Sequence, residues 1–142
     1  MKKLVLLIAV FTIALVLPSI AQTKQTSTTA TQTKAVATYS GVLPSATLAG
    51  LKGGDITFLN LTNTDTLSTS DRNFTIISFS FSAKVNGAAV NIASNSNQIN
   101  SDMKASIKKL VVGNQVLFNN IKAKYKPAGS IHDLAGMTFT IK

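Results

Sequence analysis

The clearest alternation of apolar and polar side chains lies in residues 74–85, FTIISFSFSAKV. Ile77 and the next four residues of the same parity are apolar, whereas the positions between them hold three serines and a lysine. A two-residue period is typical of a strand with one face in a core and the other in water. Asn86 and Gly87 follow, and this pair suits the two positive-φ positions of a type I′ turn. The pattern therefore predicts a hairpin whose second strand covers residues 88–94.

A helical period replaces this alternation within residues 94–114. Three apolar residues fall at positions i, i+4 and i+7, which is one stripe of a helix: Met103, Ile107 and Leu110. Asn100 or Ser101 can cap the first turn, and Gly113 can end the helix in a left-handed conformation. We therefore predict one short helix here.

The remaining segments predict further strands. Residues 35–54 hold Pro44 and four glycines among β-prone residues and predict one or two short edge strands. Residues 55–61 predict a central strand, and residues 62–73 predict a polar loop. Strands are also expected at 115–125 and 135–142. The fold prediction is a mainly β, antiparallel, sandwich-like domain of about six to seven strands with one short helix, or an open sheet capped by that helix.

Residues 1–21 are predicted to be a secretory signal peptide. Lys2 and Lys3 precede an apolar run of about 14 residues, and small side chains lie before a cleavage site after Ala21. The run is short for a bilayer span. An uncleaved anchor is the alternative interpretation.

The mature chain is expected to hold one domain behind a polar spacer. Residues 22–35 contain seven threonines and serines and no large apolar side chain, which predicts a disordered spacer. Residues 36–142 are long enough for a single core. Because the chain has no cysteine, that core must be stable without disulfides.

The charge balance is basic, with 14 Lys and Arg against 5 acidic residues and a net charge of +9. Such a charge attracts nucleic acid, anionic lipid and acidic glycan. Arg72 is the single arginine, whereas specific readers of bases and phosphates favour arginine. We therefore expect no specific nucleic-acid partner, and no membrane span once the signal is cleaved.

Three segments carry a family resemblance: FTIISFSFSAKVNG (74–87), SNSNQINSDMKASIKKLVVGNQVLFNNIKAKYKPAGS (94–130) and FTIK (139–142). The second contains the pattern G-x-x-V-x-F-x-N-I-K-A, which begins at Gly113. In order and spacing these segments resemble the C-terminal domain of GldM, a component of the gliding-motility and type IX secretion machinery of Bacteroidetes. The resemblance extends from about residue 50 to residue 142.

This resemblance implies a β-rich module that contacts other envelope proteins and has no catalytic activity. GldM-like proteins carry a membrane anchor and several further domains, whereas this sequence predicts one domain behind a cleavable signal. We therefore expect a free-standing exported relative, in the periplasm or on the outer cell surface. A secreted module that binds glycan or anionic polymer is the alternative.

Contact with a partner is expected at the sheet edges and at seven polar side chains: Lys104, Lys108, Lys109, Lys122, Lys124, Asn95 and Asn97. In the strand expected at 115–125, lysines are interleaved with Phe118 and Tyr125, as in some nucleic-acid-binding strands. We favour a structural strand, in which Phe118 is core and the lysines keep an exposed strand from pairing. The loop asparagines are interpreted mainly as helix-capping residues and secondarily as recognition groups.

Little in the sequence predicts chemistry. Asp65-Thr66-Leu67 matches the acceptor pattern for O-glycosylation in Bacteroidetes, which makes Thr66 a candidate site. His132 and Asp133 are adjacent and are expected in a turn; they lack the partners that a catalytic base needs. The five aspartates lack the spacing of a calcium loop. We expect no catalytic residue, no metal and no cofactor.

Overall fold

The structure is a computed structural model that describes residues 39–142. The predictions of a signal peptide at 1–21 and of a spacer at 22–35 fall outside the described residues. Within residues 39–142, neither helix is long and apolar enough to cross a lipid bilayer.

Eight strands and two short helices form the domain, and the mainly β prediction is confirmed. In chain order they are β1 (Ala46–Leu48), β2 (Gly54–Ile56), α1 (Phe58–Asn63), β3 (Leu67–Thr69), β4 (Phe74–Val85), β5 (Ala88–Ser94), α2 (Ser101–Ile107), β6 (Gln115–Tyr125), β7 (Ile131–Leu134) and β8 (Met137–Ile141). The main sheet has the order β2-β8-β6-β4-β5, with β7 also paired to β6, and β1 pairs separately with β3. All pairs are antiparallel except β2 with β8.

The core lies on one face of the main sheet. Four phenylalanines from three strands form its centre, with neighbouring ring centroids 5.6–6.2 Å apart: Phe79, Phe81, Phe118 and Phe139. The predicted stripe of α2 is also buried in this cluster. Burial of each large side chain contributes roughly 1.5–3 kcal/mol, so this face supplies much of the stability.

The predicted hairpin of β4 and β5 is confirmed. Asn86 and Gly87 form its two-residue turn with φ values of 50° and 87°, as a type I′ turn requires. Ile77, however, was expected on the core face and is only half-buried. Its neighbour Ile76 is buried instead, because the alternation is interrupted at this point.

Two bulges of opposite effect cause the interruption. The β4–β6 register passes from Ile76↔Ala123 to Ser78↔Lys122 and then to Ser80↔Asn119. The first step advances β4 by two residues and β6 by one, and the second advances β4 by two and β6 by three. The three-residue advance on β6 passes through Asn120, which has a positive φ of 49°. Since the two shifts cancel, apolar side chains face the core on both sides of the bulges.

The prediction of a central strand at residues 55–61 is wrong. β2 lies at an edge of the sheet, and α1 begins only two residues after it. Thr57 starts that helix because its side-chain oxygen accepts a hydrogen bond from the Asn60 N–H at 3.2 Å. Apolar residues of both parities, which suggested a doubly buried strand, instead lie around a helix that buries Leu61 and exposes Leu59.

Two segments expected to lack regular structure contain strands. The predicted loop at 62–73 includes β3, which begins at the buried Leu67 and pairs with β1. The predicted turn at His132 and Asp133 is β7, which pairs with β6. Both strands have four residues or fewer, and long-range pairing rather than a local pattern defines them.

β7 and β8 pair one after the other with the same side of β6. Ile121 pairs with Leu134 and Phe118 with Met137, so the register is unchanged across the break between the two strands. The break, at residues 135–136, lies opposite the β6 bulge. A Cβ placed on Gly136 would lie 2.9 Å from the Phe118 carbonyl oxygen. The close approach of two backbones therefore requires glycine here.

Replacing Gly136 by alanine is expected to destabilise the domain by about 1–3 kcal/mol, because backbone atoms on both sides must move. Chemical denaturation followed by far-UV circular dichroism measures the effect. Ala135→Ser is the matched control, since Ala135 is exposed and adjacent. Equal stability of the two variants would contradict the assigned contact.

Candidate functional site

The five candidate lysines do not form one surface. Lys104 and Lys108 line a small depression beside α1, whereas Lys109 lies past the end of α2, near the β4–β5 turn. Lys122 and Lys124 project from the face of the main sheet opposite the core, because their neighbours Ile121 and Ala123 are buried. The helix lysines and the strand lysines therefore lie on different sides of the sheet.

Two of these lysines pair with aspartates. Lys104 is paired with Asp65, and the Lys122 ammonium lies 2.7 Å from a carboxylate oxygen of Asp133. The aspartate side chains are largely exposed and the lysine side chains partly exposed, so each pair contributes less than about 1 kcal/mol. Their positive charge is partly neutralised for a partner.

The interpretation of the lysine-bearing strand as edge protection is wrong. Phe118 is core as expected, and Lys122 and Lys124 are exposed. β6 is nevertheless the central strand of the sheet, paired with β4 on one side and with β7 and β8 on the other. Its lysines make one face of the sheet polar and solvent-exposed, and they do not lie at a sheet edge.

The loop between β5 and α2 uses most of its polar side chains locally. Asn100 caps α2 by accepting a hydrogen bond from the Met103 N–H at 2.9 Å. The Ser94 hydroxyl donates to the Gln98 carbonyl at 2.8 Å, and the Asn97 amide donates to the Leu67 carbonyl at 3.4 Å. Asn95 is exposed and Asn97 half-buried. The capping interpretation thus accounts for most of this cluster.

Thr66 does not lie in a free loop. The Ile99 N–H donates to the Asp65 carbonyl and the Leu67 N–H donates to the Asn97 carbonyl, both at 2.8 Å. These bonds hold Thr66 opposite Gln98, and its side chain is half-buried. Thr66 therefore stays a candidate O-glycosylation site, held in a bridged and half-buried position.

His132 and Asp133 point to opposite faces of β7, as neighbours in a strand do. The centroid of the His132 ring lies 5.8 Å from that of Phe74 and 5.9 Å from that of Tyr39, and its Nε2 lies 2.8 Å from the Ser130 hydroxyl. Asp133 is paired with Lys122 on the other face. Within residues 39–142, no three His, Asp or Glu side chains are close enough together to hold a metal ion.

The most distinctive surface feature is the free side of β5, which we call the β5 edge. β5 is the last strand of the main sheet, and within residues 39–142 no strand pairs with its outer side. In a two-residue hairpin the closing pair, here Val85 and Ala88, is hydrogen-bonded, and hydrogen-bonded pairs then alternate with pairs that are not. Residues 89, 91 and 93 therefore direct their N–H and C=O groups outward.

One side-chain contact agrees with this geometry. The Asn100 amide donates to the Ala93 carbonyl oxygen at 3.3 Å, which requires that oxygen to point away from β4. Val90 and Ile92 face the core but stay half-buried, because no further strand covers their flank. A strand added at the β5 edge would bury them and pair the outward groups.

The β5 edge lacks the usual protection against such pairing. Natural edge strands carry lysine, proline or a bulge that discourages addition of another strand. β5 reads AAVNIAS and pairs with β4 without a register shift. No charged residue occurs between Lys84 and Asp102, although the whole chain has a net charge of +9. Within residues 39–142, β5 is therefore a neutral edge strand without the usual features that discourage pairing.

Sequence reasoning included sheet edges among the contact regions but could not say which strand lies at an edge. The uncharged run from residue 85 to residue 101 was the available signal. No protein-family model matches the chain, and no curated protein matches it.

Proposed function

We propose that this chain is an exported protein-contact module that binds an extended segment of another polypeptide at the β5 edge. The observation that carries the proposal is the row of outward backbone groups on a neutral strand without protective residues. Strand addition of this kind uses backbone hydrogen bonds for affinity and alternate side chains for selectivity.

The free energy available at the edge is moderate. Each backbone hydrogen bond contributes about 0.5–1.5 kcal/mol net. Residues 89 and 91 of β5 offer both a donor and an acceptor, whereas the Ala93 carbonyl already accepts from the Asn100 amide. Covering the exposed flanks of Val90 and Ile92 adds an apolar contribution. Ordering of the incoming segment opposes these terms, which favours reversible contact over permanent assembly.

A bacterial envelope is the proposed setting. The resemblance of residues 50–142 to the C-terminal domain of GldM supports an envelope protein as the partner and a link to gliding motility or type IX secretion. The predicted signal peptide supports export to the periplasm or the cell surface. Neither feature names the partner, which must present a segment able to extend as a strand.

A second candidate function is binding of an anionic polymer or glycan, and it is favoured by one pocket with cationic residues in its lining. Arg72 and Lys126 line a pocket of about 230 Å³ together with the side chains of Thr75 and Asn97. The Lys126 ammonium donates to the Arg72 carbonyl at 2.6 Å, which brings the two cationic residues together. The pocket has no carboxylate in its lining, so an anion there meets no like charge.

The proposed function predicts that Asn91→Pro removes envelope partners captured by cross-linking. Proline deletes the outward N–H of residue 91, and an edge strand tolerates it where that group faces solvent. Asn95→Pro makes the same change beyond the end of β5 and is the control. We expect at least tenfold lower recovery with Asn91→Pro at unchanged circular dichroism. Equal recovery with both variants would contradict binding at the β5 edge.

The second candidate predicts that Arg72→Ala elutes from heparin at lower salt than Lys109→Ala. Both variants lose one positive charge, but only Arg72 lines the cationic pocket. Elution of both variants at the same salt concentration would assign retention to diffuse net charge.

A further inference from the structure

The sequence at the centre of β5 reads almost identically in both directions. Ala89, Val90, Asn91, Ile92 and Ala93 place an alanine at each end, a β-branched residue inside each alanine, and an asparagine in the middle. We propose that the segment bound by the β5 edge is β5 of a second copy of this chain, antiparallel and centred on Asn91. This inference rests on the proposed function, since it requires the same open edge.

An antiparallel twofold pairing places residues equidistant from the centre opposite each other. Asn91 then meets Asn91 of the second copy, and Ala89 meets Ala93. Val90 meets Ile92 on the core face, where a β-branched pair covers the flank that is half-buried in one copy. Small residues thus meet small ones and apolar residues meet apolar ones.

The backbone has the same symmetry. The outward groups belong to residues 89, 91 and 93, which are themselves symmetric about Asn91, so each outward donor lies opposite an acceptor. The Ala93 carbonyl is the one acceptor that must first exchange its bond with the Asn100 amide. Asn91 is also the midpoint of β5, so this register overlaps all seven residues of the strand. A centre at Val90 would leave strand residues unpaired and place Ala89 opposite Asn91.

Charge permits this occupant despite the basic chain. Two copies with a net charge of +9 repel each other in general. Between Lys84 and Asp102, however, neither copy has a charged residue, so the paired strands meet at a neutral seam. The twofold axis is perpendicular to the sheet. The pairing therefore joins the two six-stranded sheets edge to edge, with both cores on the same side.

The dimer is expected to be reversible. A single strand pair is smaller than the roughly 1,200–2,000 Å² buried in stable interfaces. Sedimentation equilibrium should therefore show monomer at low concentration and dimer at high concentration, and Asn91→Pro should abolish the concentration dependence.

Single-cysteine variants test the register, because the chain has no cysteine of its own. Opposed residues of a hydrogen-bonded antiparallel pair have Cα atoms about 5.5 Å apart. Disulfides need about 4.4–6.8 Å, so mild oxidation of Asn91→Cys should give a covalent dimer. Ala89→Cys is the control, because its own twofold mate lies four residues along the strand, roughly 14 Å away. Mixing Ala89→Cys with Ala93→Cys should restore cross-linking.

Cross-linking of Ala89→Cys with itself as fast as Asn91→Cys, or of neither variant, would overturn the proposed self-pairing. If the wild type also stays monomeric while Asn91→Pro still loses envelope partners, only the identity of the bound segment is wrong. If the cysteines cross-link in the predicted register while Asn91→Pro and Asn95→Pro recover partners equally, self-pairing stands and the envelope contact at this edge fails.

Discussion

The pairing of β4 with β6 determines how the rest of the domain can assemble. Each strand has eleven or more residues, and together they bring three of the four central phenylalanines onto one face. The core face continues across both bulges only because the two register shifts cancel. If one bulge were lost, the side chains beyond it would turn to the opposite face, and buried residues such as Phe74 and Ile76 would be exposed.

This pairing also decides which strand is left at the edge. β6 is covered on its other side by β7 and β8, so the hairpin partner β5 becomes the last strand on the side of β4. A tight Asn-Gly turn fixes β5 in register, so that the backbone groups of residues 89 and 91 point away from β4. The lysines that would discourage strand addition lie on β6, where no edge exists. The proposed contact therefore follows from strand order rather than from any conspicuous group of charged residues.

The sequence could predict features that depend on nearby residues. The hairpin of β4 and β5, the apolar stripe of α2, and the strand ending at Ile141 each have a local period, and the structure contains them. The adjacent pair Ile76 and Ile77 was the local sign of a bulge, but it does not say which of the two residues is buried. α1 was missed because apolar residues of both parities fit either a buried strand or a helix, and the Thr57 cap decides between them.

Long-range features could not be predicted. β3 and β7 are short and owe their pairing to distant strands, and strand order decides whether a lysine lies at an edge or at the centre. The candidate lysines therefore lie on two sides of the sheet, whereas the β5 edge carries no residue that motif analysis would select.

Amide-resolved hydrogen exchange in a dilute, monomeric sample tests the open edge most directly. The amides of Val90 and Ile92, bonded to β4, should exchange slowly, whereas those of Ala89 and Asn91 should exchange as fast as amides exposed to water. Such alternation along β5 is what a free edge predicts. Uniformly slow exchange would mean that another part of the chain already covers the edge, and uniformly fast exchange would mean that β5 is not a stable strand; either result would contradict the account.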